Sequence, residues 1–423
     1  MANLKFPVSI NPDRILRRLS DLAQIGRNTA GGIDRQLASP GDTEARAWLM
    51  NCWTAELGLE VYIDPIANIW GGLPNGSGKT NPIVVGSHHD TVPNGGMFDG
   101  ALGVIVATEL MQTIRESKLA MRHPLQIVSF TGEEANPFAV STLGSKVLSG
   151  RLGVSDLVKA CNIDTGESLE SAISRLGGNI KKAGEAELAP DSVAAFLECH
   201  IEQGRRLYDL NLPVASVSCI TGIYREVITV FGEANHAGTT KVEDRRDALN
   251  AASEICLAVE QIMRLPNMDN LSATVGRIDT VPNASNIIPG MVTMTLDLRT
   301  AEPEKKERAL RYLTEAIEKI SSQRQVQIER TVNLDQPEMP MNPMITAAFD
   351  EAMELLGEPK ISLVSMAGHD AAHLARVTKA GMLFVQSIGG FSHCPQEMTG
   401  EQEVVRAAQV MLDALLILDG RLE

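Results

Sequence analysis

The sequence is poor in aromatic residues and in positive charge. Aromatic residues make up only 4% of the 423 residues, which leaves little side-chain area for stacking on nucleic-acid bases or sugar rings. Lys and Arg number 38 against 53 Asp and Glu, so the net charge is −15. An acidic surface repels the phosphates of nucleic acids and anionic lipids, and we therefore expect neither a nucleic acid nor a membrane as a partner.

Long apolar runs and paired cysteines are also absent from the sequence. No run approaches the roughly 18 apolar residues of a membrane-spanning helix, and residues 1–14 lack the apolar core of a secretory signal. The six cysteines include no CxxC pair, and a chain of this length does not need disulfides to fold. We therefore expect reduced thiols and a cytoplasmic location.

The order of apolar and helical patterns predicts two kinds of architecture. Outside the central region, continuous apolar strands alternate with helices, including a helix at 43–57 capped by Asp42. Such strands are typical of a mostly parallel sheet covered on both faces. The central region is predicted to run strand, helix, strand, strand, helix, strand, as in an antiparallel sheet with two helices on one face. We predict an α/β fold in which a mixed, mostly parallel sheet domain (1–217 and 333–423) carries an inserted α+β (βαββαβ) domain (218–332).

Histidines and carboxylates follow several of the predicted strands. His88 ends one strand, Asp99 follows in a glycine-rich segment, and Glu133 and Glu134 follow another strand. Sites form where the strands of parallel sheets end, and imidazole and carboxylate groups are ligands for zinc, manganese or cobalt. Structural histidines and a solvated glutamate pair remain alternative interpretations of the same residues. His200 and His393 are further candidate ligands, and either glutamate of the pair could supply a carboxylate.

Asp90 lies two residues after His88. This spacing lets the carboxylate of Asp90 accept a hydrogen bond from the imidazole and orient it. The neighbouring His89 alternates away from His88 along the strand, and we interpret it as structural.

The motifs of the chain resemble, in order, those of the M20-type amidases of the hydantoinase/carbamoylase family. This family includes N-carbamoyl-L-amino acid hydrolases, allantoate amidohydrolases and β-ureidopropionases, and it is related to the M20 aminoacylases and peptidases. The His-Ile-Glu-Gln-Gly motif at 200–204 is characteristic of the carbamoylase branch. The resemblance covers nearly the whole chain and rests on residues 86–92, 94–100, 131–134, 200–204, 236–240, 286–289, 297–299, 368–371 and 392–393.

The resemblance implies two divalent metal ions per subunit. The metal would be zinc, with manganese or cobalt as the alternatives. His88, Asp99 and His200 would hold one ion. The second would be held by Asp99, Glu134 and His393, so that Asp99 bridges the two ions.

The resemblance also implies the catalytic roles. Glu133 would be the general base that takes a proton from the attacking water and delivers it to the leaving nitrogen. Asp90 would be a further catalytic residue that acts by orienting His88. His236 would stabilise the oxyanion that develops on the substrate.

The substrate contacts implied by the resemblance lie mainly in the inserted domain. Arg299 would bind the substrate carboxylate with its bidentate guanidinium, and Gln203, His236 and Asn286 would contact the ureido or carboxylate groups. The backbone of Gly368 is a further binding candidate. The resemblance implies that the inserted domain closes over the metals as a lid and forms a homodimer.

We expect a hydrolase that cleaves the ureido C–N bond of an N-carbamoyl-L-amino acid. Allantoate, N-carbamoyl-β-alanine and, for an M20-type aminoacylase or dipeptidase, an acyl amide are alternative substrates. A non-catalytic binding protein is a further alternative, although every ligand and the base are present. Three departures from the family pattern bear on substrate identity: residues 135–137 after the glutamate pair, Lys241 after Gly-Thr-Thr, and Tyr224-Arg225 after residues 221–223.

Overall fold

The computed structural model describes residues 8–73 and 80–423. The chain divides into two compact units. The first unit comprises Met1–Ser218, Pro340–Leu363 and His369–Glu423, and the second comprises Cys219–Met339 and Val364–Gly368.

The described residues contain the following regular elements. The strands are β1 (Glu60–Ile63), β2 (Ile69–Gly72), β3 (Ile83–His88), β4 (Leu125–Phe130), β5 (Ala195–Ile201), β6 (Val214–Ile220), β7 (Gly222–Phe231), β8 (Asn235–His236), β9 (Leu271–Val281), β10 (Ile287–Ile288), β11 (Met291–Thr300), β12 (Gln327–Gln336), β13 (Met339–Pro340), β14 (Ser362–Ser365) and β15 (Ala380–Val385). The helices are α1 (Pro12–Leu22), α2 (Pro40–Asn51), α3 (Ala101–Glu116), α4 (Leu143–Leu148), α5 (Val154–Leu157), α6 (Leu169–Arg175), α7 (Arg206–Leu210), α8 (Ala248–Met263), α9 (Pro303–Arg324), α10 (Pro343–Leu355), α11 (Asp370–Leu374) and α12 (Glu401–Asp419).

The first unit is built on a nine-stranded mixed sheet, which confirms the predicted α/β fold. The strand order is β1-β2-β4-β3-β5-β15-β6-β13, and β14 pairs with β6. The central strands β4, β3, β5 and β15 run parallel, whereas β1, β2 and β6 pair antiparallel at the two sides. Every residue of β3, β5 and β15 is buried, as expected for strands covered on both faces. Parallel strands end at one edge of the sheet, and the residues that follow them meet there.

The second helix differs from its prediction. Helix α2 begins at Pro40, after Ser39, whose Oγ accepts a hydrogen bond from the amide of Asp42 at 3.1 Å. Proline favours the first helical position because its φ is already helical and its missing N–H is not needed there. The α-helix ends at Asn51 and a π-helical turn, Cys52–Glu56, continues it. Asp42 is therefore not the cap, and its buried side chain has other partners.

The second unit contains a four-stranded antiparallel sheet in the order β12-β7-β11-β9. Helices α8 and α9 pack on one face of this sheet, and the apolar residues of that face are buried. The unit extends beyond the expected boundary at residue 332 because β12 continues to Gln336, and the segment Val364–Gly368 also belongs to it. The buried apolar residues on the helix-covered face of β7 and β11 include Tyr224, Ile228, Val230, Val292, Met294, Leu296 and Leu298.

Within the part of the chain that the structure describes, no helix combines the length and apolar character needed to cross a membrane.

Candidate metal centre

Strand ends and one sharp turn bring the candidate ligands of the first unit together. His88 is the last residue of β3, and His200 lies next to the end of β5, the neighbouring parallel strand. Asp99 precedes α3 and is followed by Gly100, whose φ is 64°. A Cβ atom at Gly100 would lie 2.3 Å from Cε1 of His88, so only glycine allows Asp99 to approach that imidazole.

The five candidate ligands form two groups that share Asp99. In the first group, Oδ1 of Asp99 lies 3.6 Å from Nε2 of His88 and 3.2 Å from Nε2 of His200. In the second group, Nε2 of His393 lies 3.4 Å from Oδ2 of Asp99 and 3.2 Å from Oε1 of Glu134. Each carboxylate oxygen of Asp99 thus faces a different group.

These separations fit metal coordination. Ligand bonds of about 2.0–2.1 Å at tetrahedral angles place neighbouring ligand atoms about 3.3 Å apart. Nδ1 of His88 lies 3.1 Å from the main-chain oxygen of Asp90, and Nδ1 of His200 lies 2.9 Å from that of Ile201. These contacts fix the ring orientations and leave each Nε2 facing Asp99, as in metal-binding histidines with an oriented second nitrogen. The donor set of three imidazoles and two carboxylates suits zinc, manganese or cobalt.

The charges of the site also favour bound cations. Burial opposes a charge on His200, but the negative charge of Asp99 raises the pKa of His200 to about 9. Hydrogen bonding to Asp99 and Glu134 raises the pKa of His393 to about 10. Burial also opposes ionisation of Asp99, yet the charge of His200 holds the pKa of Asp99 well below its ordinary value. The carboxylates therefore require compensating positive charge, which protons or divalent ions can provide.

Glu133 lies beside the first group without belonging to either group. Its Oε2 is 3.7 Å from Nε2 of His88, and its side chain is 11% exposed. Burial and the charge of the adjacent Glu134 raise the pKa of Glu133 well above its ordinary value. A nearby carboxyl group that is not needed as a ligand can accept and release a proton.

Asp90 holds the glutamate pair rather than the imidazole. Its carboxylate oxygens accept hydrogen bonds from the amides of Glu133 at 3.2 Å and Glu134 at 3.1 Å. The expected contact with His88 is made instead by the main-chain oxygen of Asp90, since the carboxylate oxygen lies 3.6 Å away. Asp90 therefore links the loop after β3 to the loop after β4.

Gln203 contacts Asp99. Its Nε2 donates a hydrogen bond to Oδ2 of Asp99 at 2.7 Å, and its main-chain φ of 59° lies in the left-handed region. Oδ2 of Asp99 also accepts a hydrogen bond from Oγ of Ser392 at 2.8 Å. The resemblance assigned Gln203 to the substrate, whereas in this structure its amide orients the carboxylate shared by both groups.

Glu397 is a site residue that the sequence reasoning missed. Its Oε1 accepts hydrogen bonds from the amides of Phe98 at 2.8 Å and Asp99 at 3.0 Å, and Oγ of Ser392 lies 3.2 Å from its Oε2. Glu397 thereby connects the Asp99 turn to the segment that carries His393. No motif contains Glu397, so nothing in the sequence pattern distinguished this buried glutamate from those on the surface.

The departure from the family pattern after the glutamate pair forms an ordered turn. Nδ2 of Asn136 donates to the main-chain oxygens of Glu134 at 2.9 Å and Val140 at 2.8 Å, and its Oδ1 accepts from the amide of Phe138 at 3.0 Å. Phe138 is buried. Asn136 therefore fixes the wall of the first unit beside Glu134.

The remaining candidates belong to the second unit. Nδ1 of His236 accepts hydrogen bonds from the amides of Gly238 at 3.0 Å and Thr239 at 3.2 Å, so its exposed Nε2 carries the hydrogen and can donate it. Asn286 is exposed. Its segment lies beside that of His236, because the main-chain oxygen of Asn286 accepts a hydrogen bond from the amide of Ala237 at 3.0 Å. The strand register pairs His236 with Ile287.

Arg299 is held on the open face of the four-stranded sheet. Its Nε donates to Oδ1 of Asp297 at 2.7 Å, and its Nη1 donates to the main-chain oxygen of Met366 at 3.1 Å. Arg225, on the paired strand, donates to the other oxygen of Asp297 at 2.7 Å. Gly368 is exposed two residues after Met366. Two guanidinium groups thus share one carboxylate, so the cluster of Arg225, Asp297 and Arg299 carries one net positive charge.

Comparison with known proteins identifies the family. The family model of Peptidase family M20/M25/M40 matches residues 84–417. An N-carbamoyl-L-amino acid amidohydrolase from Geobacillus stearothermophilus is 33% identical over 402 residues, which cover 95% of this chain and 97% of the relative. An allantoate amidohydrolase from Bacillus subtilis is 33% identical over 396 residues, covering 93% and 94%.

A solved structure supports the same conclusion. The crystal structure of an amidase of the hydantoinase/carbamoylase family from Burkholderia multivorans matches with a TM-score of 0.88 at 29% identity, covering 97% of this chain and 98% of that one. The chain therefore belongs to the M20/M25/M40 peptidase family, as the sequence motifs indicated, and it is an amidohydrolase of that family.

Proposed function

We propose that this protein uses two divalent metal ions to hydrolyse the ureido C–N bond of an N-carbamoyl-L-amino acid. The reaction releases ammonia, carbon dioxide and the free amino acid. The observation that carries the proposal is the pair of ligand groups that share Asp99, with Glu133 beside them and outside both. Relatives named N-carbamoyl-L-amino acid amidohydrolase support the choice of substrate class.

The proposed ligands are His88, Asp99 and His200 for one ion, and Asp99, Glu134 and His393 for the other. Divalent ions at such sites polarise a carbonyl group and make a water molecule acidic enough to attack it near neutral pH. Zinc suits the donor set, and manganese or cobalt are the alternatives.

Glu133 is the proposed general base. It accepts a proton from the attacking water and returns it to the nitrogen that leaves, so the leaving group departs as a neutral amine. Asp90 keeps the Glu133 and Glu134 amides in place through its two carboxylate hydrogen bonds. The backbone that carries the base is therefore fixed relative to the backbone that carries His88.

The second unit is proposed to supply substrate contacts. Arg299 binds the substrate carboxylate with its guanidinium, which Asp297 orients. His236 donates the hydrogen on Nε2 to the oxyanion that develops at the ureido carbonyl. Asn286 and the backbone of Gly368, together with Gln203 of the first unit, complete the proposed contacts with the ureido and carboxylate groups. We further propose that the protein is cytoplasmic and forms a homodimer. Size-exclusion chromatography with light scattering tests the homodimer.

Allantoate is the second candidate substrate, since the Bacillus subtilis allantoate amidohydrolase is as similar in identity as the Geobacillus carbamoyl-amino-acid enzyme. The test is a substrate panel on the purified protein loaded with zinc, manganese or cobalt. It contains N-carbamoyl-L-amino acids with several side chains, N-carbamoyl-β-alanine, allantoate, N-acetyl-amino acids and dipeptides. The highest kcat/KM is expected for a carbamoyl-L-amino acid. Faster cleavage of an acetyl or peptide amide would replace the proposal with an aminoacylase or dipeptidase.

Glu133→Gln separates the enzyme from a non-catalytic binding protein. The proposal requires that the wild type hydrolyse the best ureido acid, and that this variant still bind it but hydrolyse it about 10²-fold or more slowly. If the protein hydrolyses no ureido or acyl substrate when loaded with zinc, manganese or cobalt, the proposed function is wrong.

A further inference from the structure

A buried ion pair on α2 connects to both loops of the candidate metal centre. Oδ1 of Asp42 accepts a hydrogen bond from Nε of Arg46 at 2.8 Å, one helical turn further along the chain. Asp42 is completely buried and Arg46 is 3% exposed. Neither residue can reach a substrate in solution, so neither is a catalytic residue. Both side chains have additional partners at the ends of β3 and β4.

The first connection runs to the end of β3. Oδ1 of Asp42 lies 2.8 Å from Nε2 of His89, and Nδ1 of the same imidazole lies 2.6 Å from Oγ of Ser129. Because a carboxylate can only accept, Nε2 of His89 donates to Asp42, and Nδ1 accepts from the Ser129 hydroxyl. Arg35 adds a hydrogen bond from its Nε to the main-chain oxygen of His89 at 3.0 Å. The residue next to His88 is therefore fixed on both its side chain and its backbone.

The second connection runs to the end of β4. Nη2 of Arg46 donates to Oγ1 of Thr131 at 3.1 Å, and its Nη1 donates to the main-chain oxygen of Ala67 at 2.6 Å. The amide of Thr131 donates in turn to Oδ1 of Asn68 at 2.9 Å. Thr131 precedes Glu133 by two residues. One guanidinium group thus binds the segment that leads to the proposed base.

A buried ion pair adds little net stability to a fold. Removing two charges from water is costly, and apolar residues of similar volume are often as stable or more stable at such positions. A forked guanidinium can however bind several fixed acceptors at once, which an apolar side chain cannot do. The chain places this fork between the segments of His88 and Glu133, where a small shift changes the separations of the candidate ligand atoms and of the proposed base.

We propose that Asp42 and Arg46 are positioning residues that set the distance between the His88 loop and the Glu133–Glu134 loop. His89 carries the effect to the first loop, and Thr131 carries it to the second. The role in catalysis rests on the proposed function, but the positioning of the two loops can be measured without it.

The test compares Arg46→Lys and Asp42→Asn with a matched control, Glu109→Gln. Glu109 is also completely buried and is bound by Nε of Arg14 at 2.7 Å, but it lies on α3 away from both loops. Arg46→Lys keeps the charge and loses the fork, because one ammonium group cannot bind Asp42, Ala67 and Thr131 together. All three variants are expected to lower the melting temperature, which by itself has no diagnostic value.

The first readout is hydrogen exchange of the protein without added metal. Arg46→Lys and Asp42→Asn are expected to raise the exchange rate of the amides at 131–134 by about 10-fold, and Glu109→Gln is expected to leave it unchanged. The second readout is zinc affinity by competition with a chelator. The two positioning variants are expected to bind about 10- to 100-fold more weakly, as for residues that orient metal ligands. Equal behaviour of the control and the two variants in both readouts would overturn the proposal.

Kinetics and a conservative variant complete the test. With saturating metal, Arg46→Lys is expected to lower kcat by about 10-fold with little change in KM, because the proposed base is displaced and the substrate contacts are not. His89→Gln retains a donor near Asp42 and is expected to recover most of the zinc affinity lost in His89→Ala. Equal losses in the two His89 variants would contradict the connection through Asp42. If the wild type shows no ureidohydrolase activity but the two positioning variants show the expected exchange effects, only the proposed function is refuted and the positioning role stands.

Discussion

The two ligand groups share Asp99 but differ in how the fold holds them. The side chains of His88 and His200 are each 1% exposed, whereas that of His393 is 50% exposed. His88 and His200 end neighbouring strands of the sheet, while His393 lies in a loop before α12 with a φ of 58°. The first group is therefore fixed by the sheet, whereas the second depends on Glu134 and on the loop of His393 in addition to the shared Asp99. We expect the ion of the first group to bind more tightly and exchange more slowly.

Asp99→Asn gives the largest expected effect, because it acts on both groups at once. The amide keeps the shape of the carboxylate but not its charge, so both proposed ions lose their shared ligand. We expect kcat/KM to fall by about 10³-fold or more, with fewer than one metal ion per chain by elemental analysis. A variant that keeps two ions at the wild-type affinity would show that Asp99 does not bridge the groups.

Glu133→Gln is expected to separate the base from the ligands. Since Glu133 belongs to neither group, the variant should retain the metal content of the wild type and lose about 10²-fold or more in kcat. Glu134→Gln is the matched control on the adjacent residue, and it should lose metal from the second group. Loss of metal in Glu133→Gln would instead make Glu133 a ligand.

His200→Ala and His393→Ala test the difference between the groups directly. Removing the buried imidazole leaves Oδ1 of Asp99 without its 3.2 Å partner, which should lower the free energy of unfolding by about 3 kcal/mol. The half-exposed His393 should cost about 1 kcal/mol or less, since water replaces it. Denaturant unfolding of the two proteins without added metal measures both values. Equal losses would show that exposure does not distinguish the groups.

The same contrast should appear when metal is removed. Dilution of the loaded wild-type protein into chelator should release its ions in two phases. His393→Ala should lose the fast phase and retain the slow one. A single phase in the wild type would mean that the two ions are held equally.

The sequence predicted the residues of the site better than their connections. Strand ends and a glycine turn bring His88, Asp99 and His200 together, and the sequence already placed His88 at the end of a strand. Their roles as metal ligands follow from the family resemblance and stay a prediction. The α/β fold was predicted from the alternation of continuous apolar strands with helices, which is a local pattern as well.

The interactions that orient the ligands could not be predicted in this way. Glu397 contacts the amide of Asp99 across 298 positions of the chain, and no local pattern indicates such a contact. Asp42 was interpreted as a helix cap because a short polar residue before a helix usually is one. Its pairing with Arg46 and His89 depends on how α2 packs against the sheet. Long-range packing decided these roles, and local sequence carries little information about it.

Arg299→Lys moves the comparison to the second unit and has the smallest expected effect. Lysine keeps the positive charge but cannot bind a carboxylate with two parallel hydrogen bonds, so KM for the best ureido acid should rise by about 10-fold with kcat nearly unchanged. Metal content should remain that of the wild type, in contrast to every ligand variant.

The matched control for Arg299 is Arg277→Lys. Arg277 lies on β9 of the same sheet and pairs with Asp279 at 2.6 Å, and its side chain is 72% exposed. This variant removes an equivalent guanidinium from the second unit and should leave KM unchanged. If both variants raise KM equally, the effect is not specific to Arg299 and reflects the loss of a guanidinium group anywhere on the sheet, because both substitutions keep the positive charge. If only Arg299→Lys raises KM, and an uncharged amide analogue of the substrate shows no difference between Arg299 and Lys, the guanidinium of Arg299 binds the substrate carboxylate. Substrate recognition would then be separable from metal binding, because the residues of the first unit would control metal affinity and those of the second unit would control KM.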